Sequence, residues 1–354
     1  MARILMKGNE AIGAAAIKAG CRYFFGYPIT PQNELPEFMS KEMPKVDGVY
    51  VQAESEVAAI NMVYGAAGTG ARVMTSSSSP GIALKQEGIT YIAGAELPCV
   101  IVNISRGGPG LGGIQPSQAD YFQSTRGGGN GDYRLLVYAP ASLQEAVELV
   151  AEAFDAADYY RNPVMVLADG MIGQMMEPVE FKEPATKREL PPKDWATTGT
   201  NGKRKPNIIN SLALDPQELE YHNIKLDKKY KEMEANEVRY EKYKIEDAEV
   251  VLVAYGTTAR IAKNAVDALE KEGIKVGLIR PITLWPFPYK AFKEIPATTK
   301  ALLSVEMSMG QMIDDIKIAI EGRLPVEFYG RAGGMIPTPE AIIAKIKEIL
   351  GGAK

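Results

Sequence analysis

Three residue types that could act on an anionic substrate, a hydroxyl, a carboxylate and a guanidinium, each follow a predicted strand. Thr30 lies in the turn GYPITP, Glu56 begins a helical pattern after VYVQAES, and Arg106 comes directly after CVIVNIS. The carboxyl ends of parallel strands meet at one edge of a sheet, where open α/β sheets bind ligands. A guanidinium there can bind a carboxylate at two points, and a glutamate can share a proton. The pattern therefore predicts a site for an anionic substrate and an acid–base step.

The glutamate and the turn also have purely structural interpretations. Acidic residues near a helix N-terminus interact favourably with the helix dipole, which is enough to explain both Glu54 and Glu56. Pro28 and Pro31 could simply fix the turn around Thr30, with Pro31 starting a helix. Residue types and spacing leave these alternatives open.

Arg106 precedes a glycine-rich stretch at 107–113, and a second glycine run stands at 127–131. Such runs permit unusual backbone angles and can also bring backbone N–H groups close to an anion. In the structural interpretation, Arg106 pairs with Asp120 or Glu96 as part of the fold. The sequence alone leaves both interpretations open.

Composition narrows the chemistry further. The 354 residues carry 40 Lys and Arg against 44 Asp and Glu, a net charge of −4, so we expect no nucleic-acid partner. The apolar runs are too short for a membrane span and residues 1–10 lack the apolar core of a signal peptide, which predicts a cytoplasmic protein. Cys21, Cys99 and His222 are too few to build an iron–sulfur cluster or a Cys/His zinc site, so we expect no metal site on this chain. His222 stands in a polar stretch and is expected at the surface.

The elements that must position these residues alternate between strand and helix patterns, which predicts parallel β-α-β units in an α/β fold. Residues 1–185 are predicted to form one doubly wound domain, with strands at 21–27, 48–52, 71–76, 99–105, 134–139 and 162–168 and helices at 10–19, 31–39, 56–67, 82–93 and 143–159. Residues 186–245 are predicted to form a linker with one or two exposed helices. Residues 246–354 are predicted to form a smaller α/β domain, with strands at 249–256, 275–281, 300–307 and 326–331 and helices at 259–271, 309–321 and 339–350.

One segment carries a specific resemblance. Residues 52–66, QAESEVAAINMVYGA, resemble the pyrimidine-binding domain of thiamine-diphosphate enzymes, in which a glutamate at a helix start precedes a glycine by nine positions, as Glu56 precedes Gly65. Together with the motifs GYPITP, SSPG, LKQEG, AGAELP, SRGGPG, GGGNGDY and LIRPITLWPFP, the chain resembles the alpha subunit of 2-oxoacid:ferredoxin oxidoreductases, nearest to the 2-oxoisovalerate type. The resemblance implies a pyrimidine-binding-type domain followed by a transketolase C-terminal-like domain.

The resemblance also implies roles for individual residues. Glu56 is expected to hydrogen-bond the aminopyrimidine ring of thiamine diphosphate and so to be catalytic, with Glu54 the weaker candidate. Thr30 and Arg106 are expected to hold the carboxylate of the substrate. The expected cofactor-binding residues are Pro28, Glu56, Ser79, Pro80 and Gly81. Ser79 departs from the family, which commonly has glycine before the proline, and so places a side chain beside the expected cofactor.

The resemblance further implies that the active site is shared. Thiamine diphosphate is expected between this chain and a diphosphate-binding beta subunit, with Mg²⁺ and [4Fe-4S] clusters on partner chains that include gamma and ferredoxin-like subunits. The implied reaction converts a branched-chain 2-oxoacid and coenzyme A to acyl-CoA and CO₂ while reducing ferredoxin. A 2-oxoglutarate enzyme is the alternative within the family, and a non-catalytic assembly subunit is the more distant one. We expect neither a membrane nor a nucleic-acid partner.

Overall fold

The computed structural model describes residues 3–182 and 188–351. In that part of the chain the strands are β1 Ile4–Lys7, β2 Tyr23–Gly26, β3 Val49–Gln52, β4 Val73–Ser77, β5 Cys99–Ser105, β6 Leu136–Tyr138, β7 Pro163–Asp169, β8 Met176–Val179, β9 Tyr240–Tyr243, β10 Val250–Val253, β11 Val276–Pro281, β12 Thr283–Trp285, β13 Ala301–Glu306 and β14 Val326–Gly330.

The helices connect these strands. They are α1 Gly8–Lys18, α2 Glu34–Glu42, α3 Glu56–Gly68, α4 Ser79–Gly94, α5 Tyr121–Arg126, α6 Leu143–Tyr160, α7 Gly170–Gln174, α8 Pro216–Asn236, α9 Gly256–Lys271, α10 Met312–Ile320 and α11 Pro339–Gly351. Two short 3₁₀ turns stand at Met43–Val46 and Tyr289–Glu294.

The larger sheet has the strand order β12-β6-β7-β5-β4-β2-β3. From β6 to β3 all neighbouring strands are parallel, and β12 pairs antiparallel with β6 at the edge. Every residue of β5 and β7 is buried, as the continuous apolar runs predict for strands covered on both faces. Helices α1, α2 and α6 form one packed group and α3 and α4 another. The predicted doubly wound α/β fold is confirmed.

The second sheet has the order β14-β13-β10-β11-β9, parallel except for β9. Its core contains the small and branched residues of α9 and the apolar residues of β10, among them Ala262, Val266 and Leu252, all fully buried or nearly so. The predicted second α/β unit is therefore present, and a separate short ribbon joins β1 to β8.

Two strands lie in sheets to which the predicted boundaries do not assign them. β9 lies in the segment predicted as a linker, yet it pairs with β11 of the second sheet. β12 follows β11 directly, yet it pairs with β6 of the first sheet. The linker contains one long exposed helix, α8, which buries Leu226, Tyr230 and Met233. The division at 185/186 lies outside the described residues, and the three-domain division stays a prediction.

The helix predicted from Pro31 begins later than expected. α2 starts at Glu34, because the backbone N–H of Gln32 donates to the carbonyl of Ile29 at 3.1 Å and closes a separate turn. The Gln32 side chain is fully buried and accepts a hydrogen bond from Ser76 at 2.5 Å, which holds this turn against β4. The interpretation of Pro31 as the start of the helix is wrong for that reason.

Candidate active site

The carboxyl ends of β2, β3, β4 and β5 lie side by side at one edge of the larger sheet. Their register places Gly26 opposite Gln52, and Ser77 opposite Asn103. Each strand is followed within a few residues by a group that the sequence singled out. The structure therefore brings Thr30, Glu56 and Arg106 to a common edge, as parallel topology requires.

Glu56 is the first residue of α3. The hydroxyl of Ser55 accepts a hydrogen bond from the backbone N–H of Ala58 at 3.1 Å and so caps the helix. Glu56 itself is only 7% exposed, whereas Glu54 is exposed. Over residues 3–182 and 188–351 no protein group donates a hydrogen bond to the Glu56 carboxylate. Because Ser55 already serves as the cap, Glu56 is not needed for capping, and its place in the first turn still suits the helix dipole.

Gly81 makes room for the Glu56 side chain. A Cβ atom at Gly81 would lie 2.9 Å from Glu56 Oε1 and 2.0 Å from Ser77 Oγ, closer than real Cβ contacts allow. Only glycine lets the first turn of α4 approach α3 this closely. Gly65, the glycine of the nine-residue spacing, has no described atom within 4 Å of such a Cβ, so no close contact accounts for it.

Arg106 is buried and is oriented by the backbone. Its Nη1 donates to the carbonyl of Thr30 at 2.8 Å and its Nη2 to the carbonyl of Leu111 at 3.0 Å. In the described part of the chain its guanidinium has no ion-pair partner, and its Nε is buried without a hydrogen bond. The guanidinium charge therefore stays available to an anion, with three of its five N–H donors unused.

Among the described residues Arg106 forms no ion pair with Glu96 or Asp120, although its charge opposes the rise in the Asp120 pKa. The Glu96 carboxylate forms ion pairs with Lys225 and Lys229 on α8. The Asp120 carboxylate instead accepts hydrogen bonds from the Ser79 hydroxyl at 2.7 Å and from Asn103 at 2.8 Å.

Ser79 holds the start of α4 against the end of β5. Besides donating to Asp120, its hydroxyl accepts a hydrogen bond from the backbone N–H of Arg106 at 3.0 Å. Burial raises the pKa of the Asp120 carboxyl, and the hydrogen bonds from Ser79 and Asn103 oppose that rise. The side chain that departs from the family pattern thus serves a contact within the chain, and its predicted contact with the cofactor stays a prediction.

Sequence reasoning missed several buried polar groups at this edge. The hydroxyls of Ser77 and Ser78 and the Nε2 of Gln32 are buried and lack hydrogen-bond partners among the described residues. The sequence feature that could have indicated them is the run TSSSSP after an apolar strand. Serine residues are usually exposed, so the run alone does not predict buried hydroxyls. Thr30 and Pro28, by contrast, are exposed.

Comparison with known proteins decides the family. The sequence profile described as "Pyruvate flavodoxin/ferredoxin oxidoreductase, thiamine diP-bdg" matches residues 14–246, and that of "Pyruvate:ferredoxin oxidoreductase core domain II" matches residues 248–342. A ketoisovalerate oxidoreductase subunit, VorB, from Methanothermobacter marburgensis is 53% identical over 351 residues, which cover 99% of both chains. The chain belongs to the 2-oxoacid:ferredoxin oxidoreductase family. The predicted resemblance is confirmed, and with it the assignment as an oxidoreductase subunit that carries a thiamine diphosphate-binding domain.

Solved structures agree with the fold of this 2-oxoacid oxidoreductase subunit. The 2-oxoglutarate:ferredoxin oxidoreductase from Magnetococcus marinus matches with a TM-score of 0.85 and 28% identity. That match covers 98% of this chain, which spans 65% of the longer relative. A split-gene transketolase matches over 98% of both chains with a TM-score of 0.60 and 15% identity, which supports the fold alone.

The groups at the sheet edge suit an aminopyrimidine ring. Such a ring offers both donors and acceptors, and the oxidoreductase subunit supplies a buried ionisable acceptor, Glu56, together with the unpartnered hydroxyls of Ser77 and Ser78 and the Gln32 amide. Unsatisfied buried polar groups are rare in proteins, and a bound ligand is one of the few explanations for several at one place. The residues present therefore fit the thiamine diphosphate that the family binds.

Two further observations concern the rest of the described chain. Within residues 3–182 and 188–351, no cluster of three or more His, Cys, Asp or Glu side chains has the arrangement of a metal site. No helix in the same ranges is both long enough and apolar enough to cross a bilayer. His222 is half-buried, and its Nε2 lies 2.7 Å from the carbonyl of Gly94, which gives it a place in the packing of α8.

Proposed function

We propose that this chain holds the aminopyrimidine half of thiamine diphosphate in a branched-chain 2-oxoacid:ferredoxin oxidoreductase. The observation that carries the proposal is the side chain of Glu56, which is only 7% exposed and receives no hydrogen bond from the described residues. The 53% identity to a ketoisovalerate oxidoreductase subunit supports 2-oxoisovalerate as the substrate. A 2-oxoglutarate synthase subunit, KorA, from Methanocaldococcus jannaschii is 36% identical over 360 residues and is therefore a more distant relative.

Glu56 acts on the cofactor by sharing a proton with the pyrimidine ring. Its carboxylate is buried and held at a helix start by the Ser55 cap, so it is positioned before the cofactor arrives. Thiamine diphosphate, when bound, supplies the nucleophilic carbon and the electron sink for decarboxylation. Pro28, Pro80 and Gly81 shape the pocket wall around the ring.

Arg106 and Thr30 hold the substrate. The guanidinium of Arg106 is oriented by the Thr30 and Leu111 carbonyls and is not neutralised by a carboxylate contact in the described chain, so it attracts the carboxylate of a 2-oxoacid. The exposed Thr30 stands beside it and offers its hydroxyl to the same group. The reaction yields acyl-CoA, CO₂ and reduced ferredoxin.

The complete site needs partner chains. A beta subunit supplies the diphosphate and Mg²⁺ site, and a gamma and a ferredoxin-like subunit complete the complex, with [4Fe-4S] clusters on the partner chains carrying the electrons to ferredoxin. The complex works with coenzyme A in the cytoplasm. These assignments rest on the family resemblance.

A substrate panel on the co-expressed complex tests the proposal. Reduction of ferredoxin or a viologen dye is followed with 2-oxoisovalerate, 2-oxoglutarate and pyruvate, each with coenzyme A, and 2-oxoisovalerate is expected to give the highest kcat/KM. A preference for 2-oxoglutarate would overturn the substrate assignment. Full activity in a complex containing Glu56→Gln would instead support a non-catalytic assembly subunit.

A further inference from the structure

The loop that orients Arg106 is supported by the second α/β unit. This loop, residues 107–115, follows β5. The backbone N–H of Gly107 donates to the carbonyl of Gln115 at 3.0 Å and closes the base of the loop. The carbonyl of Leu111 accepts a hydrogen bond from Arg106 Nη2 at 3.0 Å. The position of the guanidinium therefore depends on the position of the loop.

The base of the loop packs on a glycine turn of the second unit, Gly333–Gly334, which follows β14. A Cβ atom at Gly334 would lie 2.3 Å from the Cβ of Gln115, closer than real Cβ contacts allow. The φ angle of Gly334 is +94°, a left-handed conformation that favours glycine. Glycine at this position therefore lets the base of the loop rest directly on the backbone of the second unit.

A second contact fixes the chain just after the loop. The side-chain amide of Gln118 donates to the carbonyl of Tyr255 at 2.8 Å, and its oxygen accepts hydrogen bonds from the Thr258 hydroxyl and the Met307 N–H, both at 3.0 Å. The backbone N–H of Gln118 donates to the Met307 carbonyl at 2.8 Å. Because Gln118 is held in this way, the base of the loop cannot move away from the glycine turn as a rigid piece without breaking these hydrogen bonds.

We propose that Gly334 is a positioning residue for the substrate and acts through the loop at 107–115 on the guanidinium of Arg106. This inference rests on the proposed function, because it assigns to Arg106 the binding of the 2-oxoacid carboxylate. Gly334 sets how closely the base of the loop approaches the second unit, and the loop sets where the Leu111 carbonyl holds Arg106. A residue of the second unit thereby affects substrate binding at the edge of the larger sheet.

Gly334→Ala in the assembled complex tests the proposal. The added methyl group collides with Gln115, so the loop shifts and the Leu111 carbonyl loses its hydrogen bond with Arg106. We expect KM for 2-oxoisovalerate to rise about tenfold with little change in kcat, the pattern for an interaction made equally with the substrate and the transition state. Deuterium exchange at the thiazolium C2 position of bound thiamine diphosphate should keep its wild-type rate, because Glu56 is unchanged.

Gly333→Ala is the matched control for backbone strain. Gly333 also has a positive φ, +68°, but apart from its chain neighbours no described atom lies within 4 Å of a Cβ at that position. Both alanine variants should lower the melting temperature, because both place a side chain in the left-handed region. Only Gly334→Ala should raise KM.

Combined substitutions show whether the effect passes through the loop. Gln115→Gly removes the atom with which the new methyl group collides, so Gly334→Ala combined with Gln115→Gly should have the KM of Gln115→Gly alone. In an Arg106→Lys background, Gly334→Ala should add little to KM, because the guanidinium that Leu111 orients is absent. If the Gly334→Ala complex does not assemble, Gln115→Val crowds the same contact from the loop side and should also raise KM.

Arg106→Lys distinguishes this inference from the proposed function. An unchanged kcat/KM in Arg106→Lys would overturn the substrate role that the proposed function gives to Arg106. A lowered kcat/KM in Arg106→Lys, with the same KM in Gly334→Ala and Gly333→Ala, would overturn the role of Gly334 alone. So would a rise in KM that Gln115→Gly does not reverse, or an unchanged KM in Gln115→Val.

Discussion

Two buried glutamates, one near a strand end of each large sheet, differ in the hydrogen bonds that their carboxylates receive. Glu306 ends β13 and precedes α10, and Glu56 follows β3 at the start of α3. The Glu306 carboxylate accepts five hydrogen bonds, from the hydroxyls of Ser304 and Ser308 and from the first N–H groups around α10 at Gln311, Met312 and Ile313. The Glu56 carboxylate accepts none from the described residues.

The difference separates a structural carboxylate from one that is available for chemistry. Burying a carboxylate is costly unless hydrogen bonds replace its water. At Glu306 the chain itself supplies these hydrogen bonds, and three of them hold the start of α10 in place. At Glu56 no described residue donates a hydrogen bond to the oxygen atoms, and Ser77, Ser78 and Gln32 at the same edge have buried polar atoms without partners in the described chain. We propose that the cofactor binds there.

The largest expected effect is on turnover by Glu56→Gln. The amide keeps the size of the side chain but cannot share a proton, so the assembled complex should lose about 10²–10⁴-fold in rate. Ferredoxin reduction with 2-oxoisovalerate measures the loss, and Glu54→Gln is the matched control, expected to act far less because Glu54 is exposed. Equal losses from both substitutions would show that the two acidic residues are not distinguished by their burial.

Glu306→Gln should lower the stability of the protein and leave turnover unchanged, the reverse of what is expected for Glu56→Gln. Its amide group faces donors that the carboxylate satisfied, and buried donors left without partners cost about 1–3 kcal/mol each, so the free energy of unfolding should fall by about 3 kcal/mol or more. Chemical denaturation measures this change. The complex that does fold should keep its kcat/KM, and a rate loss as large as that of Glu56→Gln would remove the contrast between the two sites.

Arg106→Lys tests the proposed binding of the substrate carboxylate by Arg106. Lysine keeps the charge but loses the planar two-point geometry, and a charged hydrogen bond is worth about 1.5–3 kcal/mol, so kcat/KM should fall by about 10–100-fold. Arg72, which is ion-paired to Asp155 and Asp158, is the control. Arg72→Lys should lower the melting temperature without changing kcat/KM. An unchanged kcat/KM in Arg106→Lys would exclude that residue from the substrate site.

The smallest expected effect comes from the hydroxyls that begin α4. Ser79→Ala removes the hydrogen bonds to Asp120 and from Arg106, and should lower the free energy of unfolding by about 1 kcal/mol. Ser78→Ala removes a hydroxyl that lacks a partner among the described residues and should cost less. Denaturation of both variants without cofactor makes the comparison, and a larger loss for Ser78→Ala would contradict the contact pattern.

The sequence predicts where the strands and helices of this edge begin and end better than it predicts the contacts between their side chains. Strand β5 has the predicted bounds, because a short apolar run rich in β-branched residues favours a buried strand. The helix at Glu56 begins at the predicted residue because Ser55 caps it. The role of Ser79 and the packing of Gln115 on Gly334 depend on contacts between elements far apart in the chain, which local patterns do not contain. For the same reason, the sequence does not predict that β9 pairs with β11 of the second sheet or that β12 pairs with β6 of the first sheet.

The central claim is that the chain leaves the Glu56 carboxylate unsatisfied because the cofactor uses it. The most direct test is the rate of deuterium exchange at the thiazolium C2 position of thiamine diphosphate bound to the assembled complex, which needs neither substrate nor electron transfer. The rate should fall by about 10²–10⁴-fold in Glu56→Gln and stay near the wild-type value in Glu306→Gln. Equal exchange rates in the wild type and Glu56→Gln would contradict the claim.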